Sequence, residues 1–161
     1  MSVTPVPTAD LYDEHGEALA ICATPFRRIG GRALYAGPVR TVRCHEGNAL
    51  LRELLHTPGD GAVLVVDGGG SLRTALVGDL IAGAAVRSGW AGLIIDGAVR
   101  DSVALGGLDL GVQALGTCPR KSGKTGAGAV DEPVTLGGIT FSPGDTVHVD
   151  DDGIVVLPAR A

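Results

Sequence analysis

Asp79 and the pair Arg100-Asp101 are the residues whose types and spacing could do chemistry, and twenty residues separate Asp79 from Arg100. Asp79 follows the apolar run Ala75-Leu76-Val77 and Gly78, while Arg100-Asp101 follows the longer stretch from Leu93 to Val99. Charges placed where two buried elements end are candidates for one shared pocket. Arg100 offers a planar fork that grips a carboxylate with two bonds. Gly78 before Asp79-Leu80-Ile81-Ala82 can start, or restart, a helix whose free N–H groups and dipole face an anion. A cation on Asp101 would lie close to an anion held by Arg100. So few carboxylates suit magnesium or manganese, which keep several waters, better than calcium. The alternative, an Asp–Arg salt bridge closing the end of a sheet, stays open at this point.

The elements that position these residues follow from periodicity. Ala62 to Val66 and Gly92 to Ile95 read as buried strands, turned at Asp67-Gly68-Gly69-Gly70 and at Gly97. Leu72 to Ser88 reads as largely helical, with a break at Gly78. Strand, helix, strand implies a parallel pair with a right-handed crossover, and ligands gather at the carboxyl ends of such strands. Upstream, Thr8 to Asp13 predicts a short helix capped by Thr8. Arg32 to Cys44 predicts one or two strands broken at Gly37-Pro38, and Asn48 to His56 a helix with Leu50, Leu51, Leu54 and Leu55 in period. Downstream come a strand at Val112 to Leu115 and a basic, glycine-rich loop from Pro119 to Gly128. A Gly137-Gly138 hairpin spans Val134 to Phe141, and strands at Thr146 to Val149 and Ile154 to Leu157 end the pattern. The expected fold is α/β, parallel in its first half and mostly antiparallel in its second, with residues 1–161 forming one domain.

Composition narrows the function classes. With 45% hydrophobic and 19% charged residues among 161, the chain reads as a globular protein with a real core. No run is long enough for a membrane helix, and Met1 to Asp10 lacks signal-peptide features, so a cytoplasmic location is expected. A net charge of −5 argues against direct nucleic-acid binding and permits a protein partner. Cys22, Cys44 and Cys118 form no Cys-x-x-Cys pair and are expected as free thiols, and the four histidines show no zinc spacing.

Four motifs fail on inspection. Gly68-Gly69-Gly70 is followed by Arg73 where a dinucleotide-binding loop needs glycine, and Gly123-Lys124-Thr125 is preceded by Cys118 where a phosphate loop needs one. Asp150-Asp151-Asp152-Gly153 lacks the alternation and closing glutamate of a calcium loop, and no Gly-x-Ser-x-Gly elbow exists. A quinone methyltransferase would need an acidic strand end paired with a Gly-x-Gly loop suited to S-adenosylmethionine, and no such pairing is read in the chain.

Gly78-Asp79-Leu80 followed at this spacing by Arg100-Asp101 resembles the RraA-like family. So do Thr8-Ala9-Asp10-Leu11, Gly37-Pro38, Asn48-Ala49-Leu50-Leu51, Gly68 to Gly89, and Pro143-Gly144-Asp145 with Asp150 to Val156. That family includes regulators of ribonuclease E activity and class II aldolases acting on 4-hydroxy-4-methyl-2-oxoglutarate and 4-carboxy-4-hydroxy-2-oxoadipate. Some members carry menaquinone methyltransferase names. The resemblance implies a β/β/α layered, swivelling-domain-like sandwich that assembles as a homotrimer or hexamer with sites near subunit interfaces. It implies that Asp101 binds a divalent cation, Mg2+ or Mn2+, that Asp79 acts through water on that cation, and that Arg100 holds the substrate carboxylate. The amides around Gly78, Asp79, Leu80 and Ile81 would complete the cradle. The implied activity is cleavage of a 2-oxo acid to pyruvate, with oxaloacetate decarboxylation as a side activity. The alternative is a protein-binding inhibitor of a ribonuclease E-type partner. A metal route is also favoured because the only lysines, Lys121 and Lys124, sit in the basic loop rather than in a Schiff-base setting. Together with Arg120 they are candidates for a second substrate carboxylate, against the reading of a solvated loop. The chain departs from the aldolase pattern after Arg100-Asp101: Ser102, Val103 and Ala104 follow, and Asp109 is the first acid beyond.

Overall fold

The computed structural model describes residues 2–159. Twelve strands and four α-helices are assigned among them. The first half carries α1 (Thr8–His15), β1 (Ala20–Ile21), β2 (Arg27–Arg28), β3 (Tyr35–Arg43), α2 (Ala49–Leu55) and β4 (Val63–Asp67). The site region follows with β5 (Ala75–Val77), α3 (Asp79–Arg87), β6 (Gly92–Val99), α4 (Ser102–Gly106) and β7 (Gly111–Thr117). The chain then adds β8 (Ala129–Val130), β9 (Val134–Leu136), β10 (Ile139–Phe141), β11 (Thr146–Asp150) and β12 (Gly153–Leu157).

The main sheet runs β1-β12-β11-β3-β4-β6-β7-β2, with β5 on β6, β8 on β3, and the β9–β10 hairpin separate. β3, β4, β6 and β7 are parallel to one another. Successive side chains of these central strands point to opposite faces, and both faces are apolar, as expected of a sheet covered twice. Leu64, Val66, Leu93, Ile95 and Val112 form one core with Leu51, Leu54 and Leu55 of α2, Ala82 and Ala85 of α3, and Leu105 of α4. Val63, Val65 and Ile94 form a second with Val134, Leu136 and Phe141 of the hairpin and Val147, Val149, Ile154 and Val156 of β11–β12. The antiparallel half of the sheet therefore curls over the parallel half, and the layers are β, β and α. On the far side of β12, Val155 packs with Leu11 of α1 and Leu19. No helix among the described residues is long and apolar enough to cross a membrane.

Four local expectations change. Gly37-Pro38 does not break a strand: β3 is continuous, but its partner switches there. Tyr35 to Pro38 pair antiparallel with β11, and Val39 to Arg43 pair parallel with β4. Gly97 does not turn the chain: β6 runs on to Val99, and the irregularity is absorbed as a register shift against β7 between Ile95 and Ala98. Ala75 to Val77, placed in a helix by its apolar pattern, is instead strand β5 beside β6, so the helix begins only at Asp79. Finally, Pro7 rather than Thr8 precedes α1, and the Thr8 amide and hydroxyl both donate to Asp150 at 2.8 Å, tying the helix to the β11–β12 turn.

Other expectations hold. The β9–β10 turn places Gly137 and Gly138 at φ 57° and 79°, the doubly positive geometry that favours glycine in tight hairpins. Cys22, Cys44 and Cys118 are free thiols. Burial raises Cys22 and pushes the Cys44 thiol up to about 11, with Asp67 adding to the latter, so neither is a ready nucleophile.

Candidate functional site

The crossover from β5 through α3 to β6 places Gly78-Asp79 and Arg100-Asp101 side by side. The Arg100 amide donates to the Val77 carbonyl at 3.0 Å, fixing the end of β6 against the end of β5. Gly78 leads into α3 in extended conformation and supplies no side-chain cap. The cap comes from across the fold instead: the Asp79 amide donates to Asp101 Oδ2 at 3.0 Å. A carboxylate thus sits on the positive end of α3, where the helix dipole favours it. A Cβ on Gly78 would lie 2.7 Å from that same Oδ2 and 3.3 Å from Arg100 Nε, so only glycine leaves room for both side chains. Asp101 adopts left-handed backbone geometry (φ 57°, ψ 41°), a conformation Asp and Asn tolerate better than most residues.

The Arg100 guanidinium donates to the Pro119 carbonyl at 3.4 Å and makes no ion pair with Asp79 or Asp101 within 4.0 Å. The salt-bridge alternative is therefore not what the structure contains. Ala82 donates to the Gly78 carbonyl, and among the described residues the amides of Leu80 and Ile81 have no hydrogen-bond acceptor. Of the expected cradle of amides, the Asp79 N–H is already taken by Asp101, which leaves the next two.

These residues line a cleft of about 470 Å³ together with Asn48, Arg52, His56, Ala75, Leu76, Arg87, Lys121 and Lys124. Asn48 is 6% exposed. It donates to the Leu76 carbonyl at 3.1 Å, while its Oδ1 has no partner. The basic loop is held against the cleft rather than free. Ala75 donates to the Arg120 carbonyl at 2.7 Å, and the Ser122 amide and hydroxyl both donate to Ala75. At its other side Asn48 donates to the Gly123 carbonyl. Lys121 and Lys124 consequently face the cleft, but Arg120 does not line it. The charge of Arg120 instead acts near Glu46, whose carboxyl is held below its usual range. There the Ser71 hydroxyl dominates against the raising effect of burial, and Arg73, His45 and Arg120 assist.

Against Asp79 and Asp101 the cleft sets five permanent cations, Arg52, Arg87, Arg100, Lys121 and Lys124. None of the five pairs with a carboxylate among the described residues. Such a surplus attracts anions. Arg52 and Arg87 read from sequence as ordinary helix positions, and Asn48 and His56 only as the ends of a predicted helix, so none of the four carries a sequence signal for the cleft. The first acid after Asp101, Asp109, is held by Arg32 at 2.9 Å and does not line the cleft.

The donor set suits a hard cation. Asp101 Oδ1 and both oxygens of Asp79 accept no hydrogen bond among the described residues, and both side chains are exposed. No group of three or more His, Cys, Asp or Glu gathers among those residues, so protein groups alone form no closed cage. The fit is to a cation of the magnesium type, whose shell is completed by water and ligand oxygens.

Fold and cleft together define a mixed α/β sandwich with a cationic cleft at a parallel crossover. A family model described as RraA-like, Aldolase/RraA, matches residues 8–156. The structure resembles a Geobacillus kaustophilus HTA426 protein described as S-adenosylmethionine:2-dimethylmenaquinone methyltransferase, with 46% identity, a TM-score of 0.94 and 96% of each chain covered. It also resembles the RNA-processing inhibitor RraA from Thermus thermophilis, with 44% identity, a TM-score of 0.92, and 98% of this chain and 96% of that one covered. RraAS2 of Streptomyces coelicolor, an unusual member of the RNase ES inhibitor RraA family, is 30% identical with a TM-score of 0.75, over 93% of this chain and 77% of that one. The chain belongs to the RraA-like family.

Proposed function

We propose that this protein is a divalent-metal-dependent lyase. It cleaves 2-oxo acids of the 4-hydroxy-4-methyl-2-oxoglutarate type to pyruvate and decarboxylates oxaloacetate. The observation that carries this reading is the meeting of the Arg100 guanidinium, the free amides of Leu80 and Ile81, and the Asp101 carboxylate in one cationic cleft. Asp101, with Asp79 beside it, would hold Mg2+ or Mn2+. Bound there, the cation supplies Lewis-acid stabilisation of the negative charge that develops on the keto oxygen.

The chain's own groups account for the remaining work. Arg100 binds the carboxylate next to the keto group with its planar fork. The Leu80 and Ile81 amides orient oxygens of the same acid at the positive end of α3. Asp79, exposed beside them, accepts through water the proton that leaves the 4-hydroxyl. As that proton leaves, the C3–C4 bond breaks, C4 becomes a carbonyl, and the bonding electrons pass to the pyruvate enolate. Returning the proton to C3 gives pyruvate. Oxaloacetate loses CO2 to reach the same enolate. Assembly as a homotrimer or hexamer belongs to this reading: Leu80 and Val103, in the first turns of α3 and α4 next to the site, are 83% and 93% exposed. A neighbouring subunit would cover them.

The test is pyruvate release from 4-hydroxy-4-methyl-2-oxoglutarate and from oxaloacetate. Turnover is expected with Mg2+, lost in EDTA and restored by Mg2+ or Mn2+. Rates no higher than the protein-free background in Mg2+ would overturn the lyase reading.

A second reading, regulation of a ribonuclease E-type enzyme, is supported by the 44% identity to the Thermus RNA-processing inhibitor over nearly the whole chain. The net charge of −5 suits a basic protein partner better than RNA itself. In a pull-down at low salt the ribonuclease is expected to bind at micromolar concentration and to cut RNA more slowly. No complex under those conditions ends this reading. One scaffold can carry both roles, since function resides in sites rather than in the fold.

A further inference from the structure

The N-terminal arm has few ways to attach itself to the fold. Pro5 and Pro7 carry no N–H, so from residue 5 to residue 8 the backbone offers only the Val6 and Thr8 amides as donors. Both are spent on one strand. The Val6 amide donates to His148 Nδ1 at 3.2 Å, and the Thr8 amide donates to Asp150 Oδ2 at 2.8 Å. The Thr8 hydroxyl adds a bond to Asp150 Oδ1 at 2.8 Å. His148 and Asp150 stand two apart on β11 and project from one face, opposite the core residues Val147 and Val149. The apolar support behind these bonds is small: Val6 and Leu157 pack on Leu11, Leu19 and Val155.

Each acceptor works in one protonation state only. His148 Nδ1 must be bare to accept from Val6, which puts the proton of the neutral imidazole on Nε2. Protonating Nδ1 would set one N–H against another. Asp150 must be ionised to serve the Thr8 pair and the Asp152 amide, which donates to its Oδ1 at 2.9 Å. His148 is 4% exposed, whereas His15, His45 and His56 are exposed. Little charge faces it from the elements packed around it. Its register partners on β12 and β3 are Val155 and Ala36, and residues 2–8 of the arm carry no charged side chain. Asp10, Asp13, Glu14, His15 and Glu17, in α1 and the turn after it, are all exposed. Beside Asp150, Asp152 is exposed and Arg28 of β2 is paired with Asp151 at 2.7 Å.

We propose that His148 and Asp150 form an acid-sensitive latch that holds the N-terminal arm and α1 on β11–β12. As pH falls, His148 takes a proton first and Asp150 later, and the arm and α1 leave while the doubly covered sheet stays folded. Release exposes Leu11, Leu19 and Val155. The latch is independent of the lyase reading, since neither residue lines the cleft.

The direction follows from linkage. Burial pushes the His148 pKa down, so docking favours the neutral ring. Its contribution is complete above about pH 6.5, the ordinary histidine value, and is lost as pH falls from there toward the lowered one. For Asp150 burial acts upward, but the Thr8 amide and hydroxyl and the Asp152 and Gly153 amides outweigh it and hold the carboxyl below its usual range. Its contribution is therefore lost only in more acidic solution, and both groups make acid open the latch.

The test is hydrogen exchange of the arm and α1 amides from about pH 7.5 to about pH 5, corrected for the intrinsic pH dependence of exchange. Below about pH 6.5 the released population is expected to rise, by up to about tenfold per pH unit for one linked proton, while the β4 and β6 amides stay protected. Trp90, the one tryptophan, lines a cavity of about 510 Å³ with Ser2, Val3 and Pro5, so its emission should report the same transition. In His148→Asn an amide oxygen replaces Nδ1 as acceptor but does not titrate, and the rise is expected to vanish over this range. Thr8→Val removes only the hydroxyl bond, and it is expected to move the transition to higher pH in a protein whose histidine is intact. Arm exchange that stays flat over this range overturns the latch. So does opening of arm and sheet together, a His148→Asn profile equal to wild type, or a Thr8→Val transition that does not move.

Discussion

Asp101→Asn is expected to lower magnesium-dependent pyruvate release by about two orders of magnitude or more, the scale on which losing a charge-stabilising group acts. The substitution isolates charge from shape. Asparagine keeps an oxygen that can accept the Asp79 amide, so the cap on α3 survives. It also tolerates the left-handed backbone at φ 57° better than alanine would. Only the anionic donor is removed. The unfolding temperature should therefore stay within a few degrees of wild type while activity collapses, and the magnesium concentration for half-maximal rate should rise. Steady-state assays across a magnesium titration, with calorimetric unfolding beside them, make the measurement. Wild-type activity in Asp101→Asn would remove this carboxylate from the chemistry.

Gly111→Val is expected to cost about 3 kcal/mol of stability, the upper part of the usual range for overpacking a core. The ring of Tyr35 lies directly over Gly92 and Gly111, and a Cβ at either position would overlap ring atoms. The ring cannot swing away: its hydroxyl donates to Gln113 and lies 3.4 Å from the Leu93 carbonyl, and the side chain is 1% exposed. For a chain of this size the loss corresponds to a fall of about 6–12 °C in the unfolding midpoint. Scanning calorimetry checks it. Tyr35→Leu in the same background should recover part of the loss, and strictly additive effects would show that the ring and residue 111 do not compete for one space.

Much of this arrangement was legible in the chain, for identifiable reasons. The β4–α3–β6 crossover is written in two buried apolar runs and the periodic segment between them. The meeting of Gly78-Asp79 with Arg100-Asp101 was suggested by the glycine break before Asp79 and by the charges at the ends of apolar runs, but it is the pairing of β5 with β6 that brings them together. What could not be read was partner choice. Ala75-Leu76-Val77 is as apolar as the helix after it, and only the neighbouring edge of β6 makes it a strand. Asp96-Gly97 carries the composition of a turn, yet β7 holds β6 extended through it with a shifted register. Thr8 has the chemistry of a cap, but the Asp150 carboxylate claims it. The distal half of the cleft was hidden for the same reason: Arg52, His56 and Arg87 look like solvated helix positions until α2 and α3 are packed side by side.

The shared strand β3 has a consequence for how the protein emerges from the ribosome. β3, β4, β6 and β7 are complete once residue 117 has been made, so the crossover that carries the cleft can form early. The second face of that sheet is closed by the hairpin and by β11–β12, which are synthesised only after β7, and β1 has no partner until β12 appears. Val63, Val65 and Ile94 are thus uncovered in the nascent chain until the hairpin and β11–β12 have been made, a window in which apolar surface invites aggregation. Truncations that end after β7 but short of residue 153 should be caught by chaperones rather than accumulate as soluble domains.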